Sequence, residues 1–391
     1  MKLNFDKMID RSENCSVKWD EMEEKFGTED LLPFWIADMD FESPKVVVNA
    51  ILEKAKQGVY GYTKRPESYN ESILNWVQKR HNWQIKSEWI NFSPGIVPAL
   101  NFITRSYTNR GDKVIIQSPV YYPFYEVIEN NGCHVYKNSL KLENGRYEMD
   151  FEDFAKKAKD DRTKIFILCS PHNPVGRVWK KEELKRIGEI CLENDVLVIA
   201  DEIHNDLVYE PYTHTPFASI NEDFAQNSIT CISPSKSFNI AGLQASSIII
   251  PNEKLRKMFD NMIGAFDLKR NNAISVSAVE AAYREGEDWL EEVLKYLSDN
   301  IVYLTDYFDR NISGVDVIEP EGTYLVWLDF RKLGLNKEEL HNLLVKKAGI
   351  ALDDGHWFGE EGEGFARINV ACSKSFLEKG IKKIEAAVNS L

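Results

Sequence analysis

Long apolar runs are missing from this 391-residue sequence. Nothing approaches the ~18–20 consecutive apolar residues that span a bilayer. Uncharged stretches such as Trp89 to Thr104 are broken by Asn, Ser and Pro. No membrane partner is expected. The first residues, MKLNFDKMIDRSENC, lack the apolar core of a secretion signal. Cysteine is sparse and scattered, at Cys15, Cys133, Cys169, Cys191, Cys231 and Cys372, with no CxxC pair. A chain of this length does not need covalent staples, so reduced thiols in a cytoplasmic protein are expected, with no metal centre. Basic residues are outnumbered, 48 Lys and Arg against 62 Asp and Glu, for a net charge of −14. An acidic surface repels phosphate backbones, so no nucleic-acid partner is expected, and any bound anion must be held by a local device. There is no internal repeat and no Pro- or Ser-rich linker.

What is present is a core-forming composition, 43% hydrophobic and 12% aromatic, which excludes a disordered chain. KVIIQ (113–117), KIFILCS (164–170), VLVIAD (196–201), SITCIS (228–233) and SSIII (246–250) are short, β-branched and nearly continuous in apolarity. Strands buried on both faces of a sheet read this way. Between them, KKEELKRIGEICLEN (180–194) carries Leu184, Ile187 and Ile190/Cys191 at helical spacing. The alternation predicts an α/β fold with a largely parallel sheet covered by helices. The last hundred residues predict a smaller α+β domain. Its parts are a long helix (Asp288 to about Asn311), two short strands within 315–330, a helix over 337–347, a strand over 367–371 and a closing helix from about Lys374. The expected division is an arm with part of the small domain over 1–46, a large domain over 47–285 and the small domain over 286–391. The first forty residues lack a long periodic element and are expected to pack on other parts of the molecule or on a second subunit, burying Phe34, Trp35 and Phe41.

Four segments carry possible chemistry. In SPSKSFNIAGLQ (233–244), Lys236 follows a strand among small polar residues. It reads either as a solvated loop lysine or as an amine that forms a Schiff base in a partly desolvated setting. In VIADEIHNDLVY (198–209), Asp201 ends a buried strand, where ligands of open α/β sheets collect. It can pair with a protonated ring nitrogen or cap a turn, and His204 alone reads as structural. In LCSPHNPVGRVW (168–179), Asn173 is presented at a strand end, as a hydrogen-bond donor or as part of a plain Asn-Pro turn. In NFSPGIVPALNFI (91–103), a Ser-Pro-Gly turn opens a helix whose free N–H groups can cradle a phosphate. With the Tyr121–Tyr122 pair, these supply an anion site, an aromatic face, an amide, an acid and an amine in order. Pyridoxal phosphate needs all five.

The order SPG, PVYYPF, NPVG, DEIH and SPSKSFNIAG resembles the pyridoxal-phosphate enzymes of the aspartate aminotransferase fold, fold type I, over nearly the whole chain. PFWIADMDF (33–41), YGYTKRP (60–66), DEIHNDL (201–207), SKSFNIAGLQ (235–244) and GFARINVAC (364–372) resemble its MalY/PatB branch, the cystathionine β-lyase-like C–S lyases. The resemblance implies pyridoxal 5'-phosphate bound covalently through Lys236. It implies Asp201 at the ring nitrogen, Asn173 and His204 beside the ring, and Tyr121 stacked on it. Gly95, Ile96, Val97, Ser233 and Ser235 would meet the phosphate. Arg367, with Ala37 and Tyr121, would meet an amino-acid substrate, and Tyr62 would reach the neighbouring subunit's phosphate in a homodimer with shared sites. Gln244 stands where many aminotransferases of this fold carry an Arg on the phosphate, which favours the lyase branch. Cys372-Ser373-Lys374 departs from the Pro-Arg often found there. The expected reaction is β-elimination from cystathionine or another S-substituted cysteine, giving a thiol, pyruvate and ammonia. An amino-acid aminotransferase, or a binding protein that keeps the site, are the other readings. Trp35, Trp357 and Phe358 are expected either near the mouth of the site, shaping substrate choice, or in ordinary packing.

Overall fold

The computed structural model describes residues 3–12 and 14–391. Its centre is a seven-stranded sheet. In spatial order the strands are Ile90–Ser93, Ser246–Ile249, Ser228–Ile232, Leu197–Asp201, Thr163–Cys169, Lys113–Ile116 and His134–Lys137. The last five are mutually parallel, and Ser246–Ile249 runs antiparallel to both its neighbours. All five expected apolar runs are strands. The four central ones carry no exposed residue, because helices cover both faces of the sheet. Two strands lie outside that reading. Ile90–Ser93 pairs only with Ser246–Ile249, and His134–Lys137 is an edge of half-exposed side chains.

The helix over Lys181–Glu193 buries Leu184, Ile187, Gly188 and Cys191, the stripe read from the sequence. The long helix spans Glu287–Asn311 and packs with the closing helix Lys374–Val388 against a four-stranded antiparallel sheet. That sheet is ordered Asp316–Ile318, Leu325–Asp329, Phe365–Asn369, Asp353–Asp354. The helix expected over 337–347 begins at Lys337, capped by Asn336, and widens into a π-helical turn over Leu343–Ala348.

The N-terminal arm has a surface of its own to bury against, within the same chain. Leu32–Pro33 pairs in parallel with Ile350–Ala351. Phe34 is fully buried against Phe376, and a Cβ on Gly380 would stand 2.6 Å from its ring. Phe41 packs on Phe5 and Tyr296, and Trp35 on Phe26. Each such burial stabilises the fold by about 1.5–3 kcal/mol. These aromatics therefore supply no demand for a second subunit. Arg11 and Lys18 grip Asp38 and Asp40, and Asn239 and Asn369 bond to backbone atoms of 36, 38, 39 and 41. The arm is thus clamped across the carboxyl ends of the large sheet. No helix among the described residues is long and apolar enough to cross a membrane.

Candidate active site

A cavity opens at those carboxyl ends. Its lining includes Ala37, Gly95, Ile96, Val97, Tyr121, Asn173, Asp201, His204, Ser235 and Lys236, so most of the residues singled out in the sequence converge here. Strand ends deliver Cys169, Asp201 and the Ser233–Lys236 turn to one rim, which is why motifs far apart in sequence meet.

Gly95 is the cap of the Ile96–Tyr107 helix, at φ +152°. A side chain there would be strained, and its Cβ would press on the Pro98 ring at 3.3 Å. The first N–H groups of the helix lack partners within it, and Gly95, Ile96 and Val97 line the cavity, an arrangement suited to an anion. Ser235 stands nearby, its Oγ 2.6 Å from Ser233 Oγ. Ser233 itself is buried, accepting from Ser235 N–H and donating to the Ala245 carbonyl, so it braces Ser235 from behind.

Asp201 accepts a hydrogen bond from the Ile203 N–H at 3.2 Å and has no cation in ion-pair contact among the described residues. Burial pushes its carboxyl up to about 7, against the pull of that bond and of Lys236. Lys236 is not a solvated loop lysine. Burial brings its ammonium down to about 8, and Nζ donates to the Ala37 carbonyl at 2.6 Å. His204 is buried beside the Tyr324 ring with Nδ1 unpartnered. Burial, with the charges of Lys236 and Arg367, holds its pKa far below the usual histidine range, so the ring is neutral.

Asn173 is oriented by its neighbours. Its Oδ1 accepts from Arg367 Nη1 at 2.9 Å, which turns the amide NH₂ away from the arginine as a donor. Its carbonyl accepts the Tyr121 N–H, fixing that ring at the cavity wall. Tyr122 does not line the cavity; it packs on Trp357 and Phe358.

Arg367 is buried behind this wall. Nη2 donates to the Trp35 carbonyl at 2.8 Å and pairs with Asp353, and Nε has no partner. Phe358 lies under the guanidinium at 5.0 Å, Trp35 bonds to the Lys18 carbonyl, and Lys25 sits over Trp357. None of these three aromatics is in the cavity lining. Tyr62 stands apart, 97% exposed in a surface depression with Arg270 and Asn271. Asp353 and Tyr324 carried no signal in the sequence reading. Tyr324 is buried, and its hydroxyl donates to the same Ala37 carbonyl as Lys236, at 2.9 Å. Gln244 lines the cavity in a left-handed conformation.

Pyridoxal phosphate fits this set. Asp201 lacks the cation that a protonated ring nitrogen provides, His204 Nδ1 lacks a partner, and the glycine-capped helix start would be filled by any Cβ. No group of three or more His, Cys, Asp or Glu placed to hold a metal ion occurs among the described residues.

A half-buried amine with a lowered pKa, a lone buried acid and a glycine-capped helix start at the strand ends of this fold define a pyridoxal-phosphate enzyme of fold type I. The chain belongs to the class I and II aminotransferase family, whose model matches residues 29–384. It is 44% identical to cystathionine β-lyase PatB of Bacillus subtilis, over 99% of this chain and 100% of that one. A pyridoxal-phosphate-bound protein of Clostridium difficile 630, described provisionally as an aminotransferase, superposes with a TM-score of 0.98 at 49% identity, covering 99% of this chain and 100% of that one. The pyridoxal-phosphate-bound C–S lyase of Staphylococcus hominis superposes with a TM-score of 0.94 at 36% identity, covering 99% and 98%.

Proposed function

We propose that the chain is a pyridoxal-phosphate-dependent C–S β-lyase that cleaves cystathionine or another S-substituted cysteine to a thiol, pyruvate and ammonia. The observation that carries this reading is the meeting in one cavity of buried Asp201 with half-buried Lys236, whose ammonium is brought down to about 8. When bound, pyridoxal phosphate supplies an electron sink for the carbon next to the substrate's amino group. Asp201 would hold the ring nitrogen and keep it protonated. The Asn173 amide and His204 would hold the ring from the side, and Tyr121 would stack on it. The N–H groups at Gly95, Ile96 and Val97 would take the phosphate, with Ser235 and its brace Ser233. Arg367 takes the substrate carboxylate with the Ala37 backbone. Lys236 Nζ, with its pKa near 8, removes the α-proton as general base. Gln244 and the full-length likeness to named lyases support elimination over transamination. The protein works in the cytoplasm, with the arm (1–46), large domain (47–285) and small domain (286–391) closing on one site.

The test is incubation with L-cystathionine and no added keto acid. Thiol and pyruvate in equal amounts are expected. Turnover that requires a keto acid would assign an aminotransferase, and a protein inert to all amino acids would assign a binding role.

Arg367→Lys is expected to raise KM and leave the visible spectrum of the unliganded enzyme unchanged. Lysine cannot present a fork of donors, and the lost charge-assisted bond costs roughly 1.5–3 kcal/mol, or about 10- to 100-fold in KM. A changed spectrum with unchanged KM would move Arg367 to the cofactor.

Tyr62, exposed and absent from the lining of its own cavity, completes the partner's phosphate site in a homodimer. Tyr62→Ala and Lys236→Ala, each inactive, are expected to complement when dissociated and mixed. Random pairing in equal mixture returns about a quarter of wild-type activity, from one intact site per heterodimer. Exchanged dimers without recovery would place Tyr62 in its own subunit's site.

A further inference from the structure

Asp353 lies outside every motif that marks the site, yet it is the Cα partner of Arg367 in the antiparallel pair of Asp353–Asp354 with Phe365–Asn369. The two side chains are almost inaccessible, 1% and 3% exposed. Asp353 Oδ2 pairs with Arg367 Nη2, whose other bond goes to the Trp35 carbonyl, while Nη1 is held by Asn173. Two buried atoms are left over. Neither Arg367 Nε nor Asp353 Oδ1 has a partner. Burial pushes the Asp353 carboxyl up to about 6, outweighing the pull of Arg367 and of Lys25; the adjacent Asp354 pushes the same way as burial. Asp354 is itself engaged by His341 Nδ1 at 2.7 Å. The phenols of Tyr121 and Tyr122 feel the same carboxylate.

A ligand carboxylate that reaches Arg367 therefore meets a guanidinium already neutralised from within. Two buried carboxylates on one guanidinium leave a negative charge uncompensated, which is unfavourable in a desolvated site. The relief nearest to hand is a proton on Oδ1, the atom without a partner. We propose that Asp353 is the proton acceptor that accompanies substrate capture: as the ligand carboxylate takes over the charge of Arg367, Asp353 takes up one proton from solvent at Oδ1. This rests on Arg367 as the carboxylate clamp. It makes Asp353 a positioning residue, which neutralises the arginine in the empty site and yields that charge to the ligand in the filled one. One negative charge and one proton enter together, so the site's net charge is unchanged.

The probe is 3-(methylthio)propionate, which carries a carboxylate and a thioether but no amine to react with the cofactor. It is titrated into the holoenzyme by calorimetry in two buffers of different ionisation enthalpy. Wild type is expected to take up close to one proton per ligand at about pH 7.5, and its affinity is expected to fall about tenfold per pH unit between about pH 6.5 and 8. Asp353→Asn keeps an oxygen for Nη2 but cannot be protonated there. Its proton uptake is expected to vanish, its affinity to become flat with pH, and its binding at about pH 8 to be tighter than wild type, by roughly tenfold or more. The neutral 3-(methylthio)propanamide is expected to take up no proton with either protein. Uptake that persists in Asp353→Asn would assign the proton to Lys236, His204 or the cofactor and overturn the proposal. Wild-type binding without uptake would overturn it as well, even if the variant does not fold. A failure of the lyase reading shows separately, in the thiol and pyruvate assay.

Discussion

Lys236→Ala is expected to give a folded protein that carries no pyridoxal phosphate fixed to the chain after borohydride reduction and turns over at least about 10⁴-fold more slowly than wild type. The rate loss combines a missing nucleophile for the cofactor with a missing general base for the α-proton. The fold survives because the one bond Nζ makes, to the Ala37 carbonyl, is duplicated by the Tyr324 hydroxyl. The arm also keeps its grip through Asn239, Asn369 and the ion pairs of Arg11 and Lys18 with Asp40. Stability gives a second readout. Lys236 sits at about 8 in the folded protein against an ordinary 10.5. Between those values the unfolded chain binds the proton and the folded one does not, so this group's contribution to stability rises with pH across the window. Below about pH 8 it is a constant cost. Cofactor-free Lys236→Ala is therefore expected to melt above cofactor-free wild type at neutral pH, with the gap closing as pH rises towards about 10. Covalent cofactor retained in the variant would show that another amine holds it.

The parts of this architecture that were legible in the sequence are those where burial is two-sided. The runs ending at Cys169, Asp201 and Ile232 are apolar throughout because helices cover both faces, and a strand end in such a sheet is also where ligands gather. Position in the motif and position in the cavity then coincide for Asn173, Asp201 and Lys236. The antiparallel sense of Ser246–Ile249 was not legible, since a continuous apolar run has no direction. The edge strand His134–Lys137 was missed because its residues are half-exposed and carry no clean alternation. In the arm, the aromatic content was read correctly as a need for burial, but the sequence has no term for which surface answers it. The answer was Phe376, Phe5 and Tyr296 of the same chain.

The site's second layer was hidden for a different reason. Arg367 and Lys236 are held by main-chain carbonyls of Trp35 and Ala37, and every residue type offers the same carbonyl. Tyr324 acts through one of those oxygens, and Asp353 acts by facing Arg367 across a strand pair whose register no local pattern announces. Their contribution depends on tertiary placement alone.

Asp201→Asn is expected to retain the cofactor yet lose on the order of 10²-fold or more in turnover, as for other pre-organised electrostatic groups. In the cofactor-free protein this carboxyl is pushed up to about 7 from an ordinary 3.8, because burial penalises its charge. Between those values the folded state holds a proton that the unfolded chain has released. The stability contributed by Asp201 is therefore full below about pH 4 and is lost as pH rises towards about 7. Asparagine removes that loss. Cofactor-free Asp201→Asn is expected to melt above wild type at about pH 7 and to match it near about pH 4. Cofactor binding should reverse the order. A protonated ring nitrogen gives the wild-type carboxylate the cation it lacks, so wild type gains more from the cofactor than the variant does. The measurement is a set of four melting curves, wild type and variant with and without pyridoxal phosphate, run at both pH values beside the turnover assay. A slow variant whose melting follows wild type throughout would keep Asp201 in catalysis but deny it the charged contact with the ring. A variant with near-wild-type turnover would reduce Asp201 to the cap of the turn at Ile203.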